Sequence, residues 1–389
     1  MRQHITQLDS VRGLAALAVA FSHCLLVFSI GDSRTYWLET LTLETNSQVW
    51  LFRIINAAFN DTAAVILFFV LSGFVLTLSL REKEQGLRHY LGFAVQRLLR
   101  LWPAMAVSVV LTYAVITLFH FPPVGEEFSE WFTLLFLTPP TLPTTGLNLL
   151  LIKTDVNVVT WTIYVEIWGS LALPFLLISF HRVFKGRALP FLAGLLLLAV
   201  AAHRHPELRY LYCFAIGICI ALQGPPSLLV RHARQAVALG LAIFFVSDLV
   251  LGSYFQKQVA AAAGSFLILA AIAGAPERFA LLSSPFLNAL GRISYSFYLL
   301  HLSVFYFTSW LFVSLGFSGE MANLLIALFS IPLTLPLAFA CYRLVEMPSM
   351  ALGRRLGSRI GAQPLPAPPS PQGGAPVKRG YEETSSRSK

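Results

Sequence analysis

The sequence predicts an all-α, polytopic integral membrane protein. Of its 389 residues, 56% are hydrophobic and only 12% are charged, with a mean hydropathy of +0.68. Soluble domains carry about a quarter charged residues. Apolar runs long enough to cross a bilayer recur along the chain, and open sheets cannot lie in lipid with unpaired edges. We therefore expect a helical bundle of about ten transmembrane helices with both termini in the cytoplasm.

The apolar runs predict where these helices lie. The segment 122–160 is less regular, because its apolar run WFTLLFLTPP is too short to cross and is typical of a re-entrant or interfacial segment. If this segment does cross the membrane, the chain has eleven spans instead of ten. The ten predicted spans lie near residues 11–30, 63–80, 103–121, 161–180, 188–203, 208–223, 235–251, 258–275, 293–315 and 321–345.

Positive charge predicts the orientation and the domain organisation. Placing the N-terminus in the cytoplasm puts 22 of the 28 lysines and arginines in cytoplasmic segments. The net charge of +9 is thus explained by topology, and we expect no nucleic-acid partner. Residues 1–348 form the predicted transmembrane domain, and 349–389 a basic tail rich in Pro, Gly and Ser, expected to be cytoplasmic and largely disordered.

The cysteines and the N-terminal segment argue against a metal-binding protein and against a cleaved signal peptide. The four cysteines lie within apolar runs without CxxC or Cys/His spacing, so they predict packing residues and no metal site. The first apolar run extends beyond signal-peptide length without a small-residue cleavage pattern. We expect it to be a retained membrane anchor.

The first span carries the most unusual polar residues. Arg12 and His23 are eleven residues apart, so both project from one helix face, separated by roughly 16 Å along the axis. Asp9 lies one turn before Arg12 and can neutralise it. Ionisable groups in a span are costly and indicate a functional site, although a rim anchor and a hydrogen-bonded core histidine would also explain them.

Other spans carry further candidates. Ser72, next to Gly73, indicates either close helix packing or a channel-facing hydroxyl. Arg97 and Arg100, just before Pro103, are either topological charge or a guanidinium pair suited to phosphate.

Two later spans add polar residues to the candidate cavity. Glu166 follows Trp161 by five residues and requires a partner, either an arginine or His23. Tyr298 and His301 continue a polar stripe that begins at Ser294. At the end of the last span, Arg343 and Glu346 have the i, i+3 spacing of a local ion pair.

Six motifs together resemble the membrane acyltransferase-3 family of bacterial O-acyltransferases. They occur in the family's order between residues 8 and 348. Thr162 stands where a serine is usual, and we expect no counterpart of the hydrolase-like domain that follows the last span in many relatives. The motifs are LDSVRG with Arg12 and, after ten residues, His23; FFVLSGF; QRLLRLWP; WTIYVE; LGRISYSFYLLH; and YRLVEMP.

This resemblance implies O-acylation of a carbohydrate at the bacterial inner membrane. The donor is cytoplasmic acyl-CoA, usually acetyl-CoA, used as a substrate rather than as a tightly bound cofactor. The acceptor is a hydroxyl of a polysaccharide or lipid-linked glycan on the far side, with membrane lipids and glycan-biosynthesis proteins as expected partners. Arg12 and His23 match the family's essential motif, and Arg97 and Arg100 its cytoplasmic arginine motif.

The chemistry of these residue types fits that scheme. A hydroxyl attacks a thioester efficiently only when a base removes its proton, which suits neutral His23; an acyl-histidine intermediate is the competing role. We expect Arg12, Arg97 and Arg100 to hold the donor. Glu166 is expected to orient His23 or bind the acceptor, and Asp9, Ser72, Trp161, Tyr298 and His301 are candidate channel residues.

Three rival functions remain open. A non-enzymatic transporter or flippase of a lipid-linked glycan would have a similar cavity without any dependence on acyl-CoA. A membrane glycosyltransferase would rely on external acidic residues, for which Glu44 and Asp61 are weak candidates. Another O-acyltransferase class would centre on a late buried histidine, here His301.

Overall fold

The structure is a computed structural model that describes residues 5–31, 33–39, 41–80, 86–121, 125–136 and 139–361. These residues form helices and connecting loops, without a β-strand among them, as the sequence predicts. The N-terminal four residues and the predicted tail from residue 362 onward lie outside the described residues.

The α-helices are labelled in chain order. The first eight are α1 (Thr6–Cys24), α2 (Ser47–Ala58), α3 (Asp61–Leu80), α4 (Leu87–Leu118), α5 (Glu130–Phe136), α6 (Leu142–Leu149), α7 (Thr160–Arg182) and α8 (Ala188–Ala201). The others are α9 (Pro206–Arg209), α10 (Leu211–Gln223), α11 (Ser227–Arg231), α12 (Ala233–Val250), α13 (Tyr254–Gly274), α14 (Pro285–Ser314), α15 (Gly319–Cys341) and α16 (Met347–Gly361). Two 3₁₀ segments cover Tyr36–Leu38 and Pro276–Ser283, and a π-helix covers Tyr342–Glu346.

Seven helical stretches in the described part of the chain are long and apolar enough to cross a membrane. Each of the ten predicted spans overlaps a helix, but α8 and α10 have only 14 and 13 residues. The count of ten and the side of the termini therefore stay predictions. The seven stretches are Ser47–Leu80, Leu87–Leu118, Thr160–Arg182, Ala233–Val250, Tyr254–Gly274, Pro285–Ser314 and Gly319–Gly361.

The boundaries of two predicted segments differ in the structure. Helix α1 ends at Cys24 rather than near residue 30, and the chain beyond it is held by loop contacts, such as the Ser29 N–H that donates to the Glu127 carbonyl over 2.9 Å. Residues 349–361, assigned to the tail by sequence, continue as helix α16. This helix packs on α4, where Gly357 lies against the backbone of Gly92. Without side chains at these two positions the helices approach closely.

Helices α1 and α14 pack in parallel and in register. A Cβ on Gly13 would lie 2.8 Å from the backbone nitrogen of Gly291, so the two helices touch at these glycines. Ten residues further along each helix, His23 meets His301. Because the spacing is equal on the two parallel helices, the close contact at Gly13 and Gly291 also places His23 opposite His301.

Candidate active site

Two adjoining cavities occupy the centre of the bundle. The first, here called the arginine cavity, is lined by Arg12, Val65, Phe68, Phe69, Ser72, Arg97, Arg100, Leu101, Thr162, Ile163, Glu166, Ser294, Tyr295 and Tyr298. The second, the histidine cavity, is lined by Val19, His23, Asp61, Thr62, Val65, Ile66, Trp131, Val158, Val159, Trp161, Tyr210, Tyr254, Gln258 and Tyr298. Val65 and Tyr298 line both, so these two residues mark the boundary between the cavities.

His23 lies in a cluster of ionisable and aromatic groups. Its Nδ1 is 3.0 Å from Nε2 of His301, and its Nε2 is 3.6 Å from Oδ2 of Asp61. The indole ring of Trp131 lies beside the imidazole, with the ring centroids 5.1 Å apart. His23 is buried, whereas the Asp61 side chain keeps 38% of its surface exposed. The histidine can therefore exchange protons with a molecule in the cavity, next to an accessible carboxylate.

His301 is held by its own helix. Its Nδ1 lies 2.6 Å from the main-chain carbonyl oxygen of Tyr298, and its side chain is buried. The Tyr298 side chain points to the boundary of the cavities, where its hydroxyl is 3.1 Å from Oγ1 of Thr162. Tyr298 and His301, predicted as cavity residues, thus lie at the boundary and behind His23, respectively.

Two ion pairs organise the arginine cavity. Arg97 Nη2 lies 2.5 Å from Oε1 of Glu166, and Arg97 Nε donates to Ser170 Oγ over 3.1 Å. Arg100 Nη2 is 3.9 Å from Oε1 of Glu346. Such pairing offsets the cost of removing these charges from water.

Arg12 is the third guanidinium of this cavity. Its charge is opposed by the carboxylates of Asp9, one turn earlier on α1, and of Glu166, and it lies near the guanidinium groups of Arg97 and Arg100. Three guanidinium groups are thus gathered around one cavity. Such a cluster favours an anionic ligand.

The structure changes the assignment of two carboxylates. Of the two partners that the sequence leaves open for Glu166, the structure shows the arginine: Glu166 lines the arginine cavity and pairs with Arg97, and Asp61 is the carboxylate beside His23. The local pair predicted between Arg343 and Glu346 is wrong. Because the chain forms a π-helix over Tyr342–Glu346, its wider turn rotates Glu346 inward, where it accepts a 2.8 Å hydrogen bond from Ser296 Oγ.

The other predicted site residues divide between the cavities. Ser72 lines the arginine cavity, while the adjacent Gly73 packs against the backbone of Phe214, so both interpretations of this pair hold. Trp161 lines the histidine cavity and its ring lies 5.6 Å from that of Tyr210. Asp9 is in neither lining; its backbone packs against Gly291.

Sequence reasoning missed several residues of the histidine cavity, namely Asp61, Trp131, Tyr210, Tyr254 and Gln258. Asp61 was considered only for a different reaction, although its position at the first residue of α3 marks it as a charge near the end of a span. Gln258 is buried and its Nε2 donates to the Tyr210 hydroxyl over 2.6 Å. The sequence does place Gln258, a polar amide, within a predicted span, and this feature could have marked it as a cavity residue.

Comparison with known families agrees with this architecture. Residues 5–343 match a family model described as an acyltransferase domain. The chain belongs to the membrane acyltransferase-3 family. No curated protein and no solved structure shows significant similarity to it.

Membership of the acyltransferase-3 family establishes the general activity. The protein is a membrane acyltransferase, and its apolar helices are those of a multi-pass membrane protein. The matched region contains Arg12, His23, Asp61, Arg97, Glu166 and His301, and therefore both cavities.

Proposed function

We propose that this protein transfers an acyl group, most simply acetyl, from cytoplasmic acyl-CoA to a carbohydrate hydroxyl on the far side of a bacterial inner membrane. The observation that carries the proposal is the pair of adjoining cavities, with three guanidinium groups lining one and a histidine–carboxylate cluster in the other. A donor and an acceptor that approach from opposite faces would meet at the boundary between them.

The arginine cavity suits the donor. Guanidinium groups hold phosphate oxygens by fork-shaped hydrogen bonds, and coenzyme A carries several phosphate groups. Arg97 and Arg100 pair with Glu166 and Glu346, and Arg12 lines the same cavity, so three guanidinium groups are available to phosphate oxygens there. The extended pantetheine arm then spans the roughly 16 Å along α1 between Arg12 and His23.

The histidine cavity suits a sugar. Trp131, Trp161, Tyr210 and Tyr254 offer aromatic faces on which the C–H face of a sugar ring can stack, and Gln258 offers an amide for its hydroxyls. Trp161 also lines a surface groove whose other walls include Arg204, in the loop before α9, and Glu207 on α9. This groove gives a polysaccharide or a lipid-linked glycan a route to the cavity.

His23 serves as the general base. As the acceptor oxygen attacks the thioester carbonyl carbon, its proton passes to His23, the C–S bond breaks, and the thiolate of coenzyme A leaves with the electron pair. The histidine then returns the proton to the thiolate, so coenzyme A is released as the free thiol. Proton transfer by a positioned base contributes about 10²- to 10⁴-fold to rate.

Acyl transfer in membrane vesicles tests this function. Sealed vesicles that contain the protein receive [¹⁴C]acetyl-CoA on the cytoplasmic face, and label in the glycan fraction is counted together with released thiol. We expect both to increase with wild-type protein and to stay at background with His23→Ala. Glycan movement that is independent of acetyl-CoA would instead support a flippase, and label trapped on the protein in wild type but not in His23→Ala would support the acyl-histidine route.

A further inference from the structure

The positions of the protons on His301 and His23 follow from their hydrogen-bond partners. The Tyr298 carbonyl oxygen can only accept, so Nδ1 of His301, 2.6 Å away, must carry a hydrogen. His301 is buried and its contacts in the described structure are with His23, Phe297 and Tyr298, none of which is a carboxylate. It is therefore neutral, and its Nε2 has a lone pair and no proton.

This arrangement determines the tautomer of His23. Because Nε2 of His301 accepts, Nδ1 of His23 must donate across the 3.0 Å contact. A neutral His23 then has no proton on Nε2, the nitrogen that faces the histidine cavity and Asp61. The opposite tautomer would bring two lone pairs together in a buried site, where polar groups need partners.

We propose that His301 and Asp61 are positioning residues that make Nε2 of His23 the reacting nitrogen. His301 fixes the hydrogen on Nδ1 and thereby exposes the lone pair of Nε2 to the acceptor hydroxyl. When Nε2 takes the acceptor proton, the imidazolium faces the Asp61 carboxylate, with 3.6 Å between Nε2 and Oδ2. This assignment rests on the proposed function and adds to it the atom of His23 that reacts and the two residues that select it.

Among the described residues, one negative charge near His23 is suited to this role. The ionisable groups that face it are His301 and Tyr298 from α14, Asp61 from α3, Tyr254 from α13 and Tyr210. Of these, Asp61 alone is an acid that is ionised near neutral pH in its usual state. An opposite charge next to a histidine favours its protonated form, which is the form the base reaches in the transition state.

Matched substitutions at residue 301 provide the test. His301→Gln keeps a hydrogen-bond acceptor near the position of Nε2. His301→Leu removes the acceptor and keeps a side chain of similar size. We expect His301→Leu to lower kcat by about 100-fold and His301→Gln by less than about 10-fold, with KM for acetyl-CoA nearly unchanged in both. His181→Leu is the control, since His181 also lies against a backbone carbonyl, that of Leu177 at 2.9 Å, but lines neither cavity.

The carboxylate and the tautomer are tested separately. Asp61→Asn removes the charge at constant size, and we expect a loss of kcat of about 10- to 100-fold. In the ¹⁵N NMR spectrum of histidine-labelled protein, the signal that disappears in His23→Gln should report a protonated Nδ1 and a bare Nε2, and His301→Leu should convert it to a mixture of tautomers.

Each outcome separates this inference from the proposed function. A wild-type kcat in His301→Leu, or an NMR signal that places the hydrogen of His23 on Nε2, overturns the inference. If His23→Ala is still inactive in that case, the proposed function stands. Full acyl transfer by His23→Ala overturns the proposed function as well. Thermal unfolding of each variant in detergent shows whether the loss of activity reflects misfolding, and His301→Gln, with the smaller change, decides the case if His301→Leu does not fold.

Discussion

The ion pair between Arg97 and Glu166 should contribute to stability rather than to the chemical step. The two side chains are only 11% and 12% exposed, so each charge depends on the other. Removing one partner of a buried pair costs about 3–5 kcal/mol, because the remaining charge is left without compensation. In Glu166→Gln the amide oxygen still accepts a hydrogen bond from Arg97, which retains about 1 kcal/mol. We therefore expect a loss of about 2–4 kcal/mol.

A double-mutant cycle measures this coupling. Wild type, Arg97→Gln, Glu166→Gln and the double variant are unfolded at equilibrium in mixed detergent micelles, with tryptophan fluorescence as the signal. The double variant should be more stable than the sum of the single losses by about 2 kcal/mol or more, since it leaves no unpaired charge.

The same variants show where Glu166 acts. Additive losses, or a Glu166→Gln protein as stable as wild type, would contradict the pairing seen in the structure. If Glu166 acted on His23, Glu166→Gln would lose kcat without losing stability. We expect the reverse, with most of the activity per folded molecule retained.

Other substitutions test the packing and the donor site. Asp248→Asn should lower the free energy of unfolding by about 2–4 kcal/mol by the same reasoning, since Asp248 Oδ2 lies 2.5 Å from Nη1 of Arg53, which is only 2% exposed; equilibrium unfolding checks it. Gly291→Val should abolish folding or activity, because a side chain there meets the backbone of Asp9 at the α1–α14 contact; the yield of monodisperse protein in detergent measures the effect. Arg12→Gln should raise KM for acetyl-CoA by about 10-fold or more, since a charged hydrogen bond contributes about 1.5–3 kcal/mol; steady-state kinetics provide the value.

Hydropathy and helical periodicity were sufficient to predict the helical bundle and many of its cavity residues. Arg12, His23, Ser72, Arg97 and Tyr298 all line one of the two cavities. Their prediction depends on local information, namely which residue types are costly within a span and which share a helix face.

The pairings between helices could not be predicted in this way. Glu166 and Asp61 are both carboxylates near the start of a predicted span, so either could meet His23. The choice depends on which helices pack against each other. Helix α3 packs on α1 and brings Asp61 to His23, whereas α7 packs on α4 and brings Glu166 to Arg97. A single sequence gives the spacing along each helix but not the register between helices.

The sequence did not predict that Glu346 points into the bundle, for a different reason. The i, i+3 rule that suggested its pairing with Arg343 holds for a regular α-helix, and the chain has a π-helix at this point. The helix α16 that follows was missed because its glycines and arginines resemble the composition of the tail, although Gly353 and Gly357 provide a surface for packing on α4.

The most direct test of the account is label transfer in sealed vesicles with wild type, His23→Ala and the control His181→Leu. With [¹⁴C]acetyl-CoA on the cytoplasmic face, wild type and His181→Leu should place label in the glycan fraction and release coenzyme A thiol at equal rates. His23→Ala, folded to the same extent, should do neither. Label transfer by His23→Ala at the wild-type rate would contradict the assignment of His23 as the base in the histidine cavity.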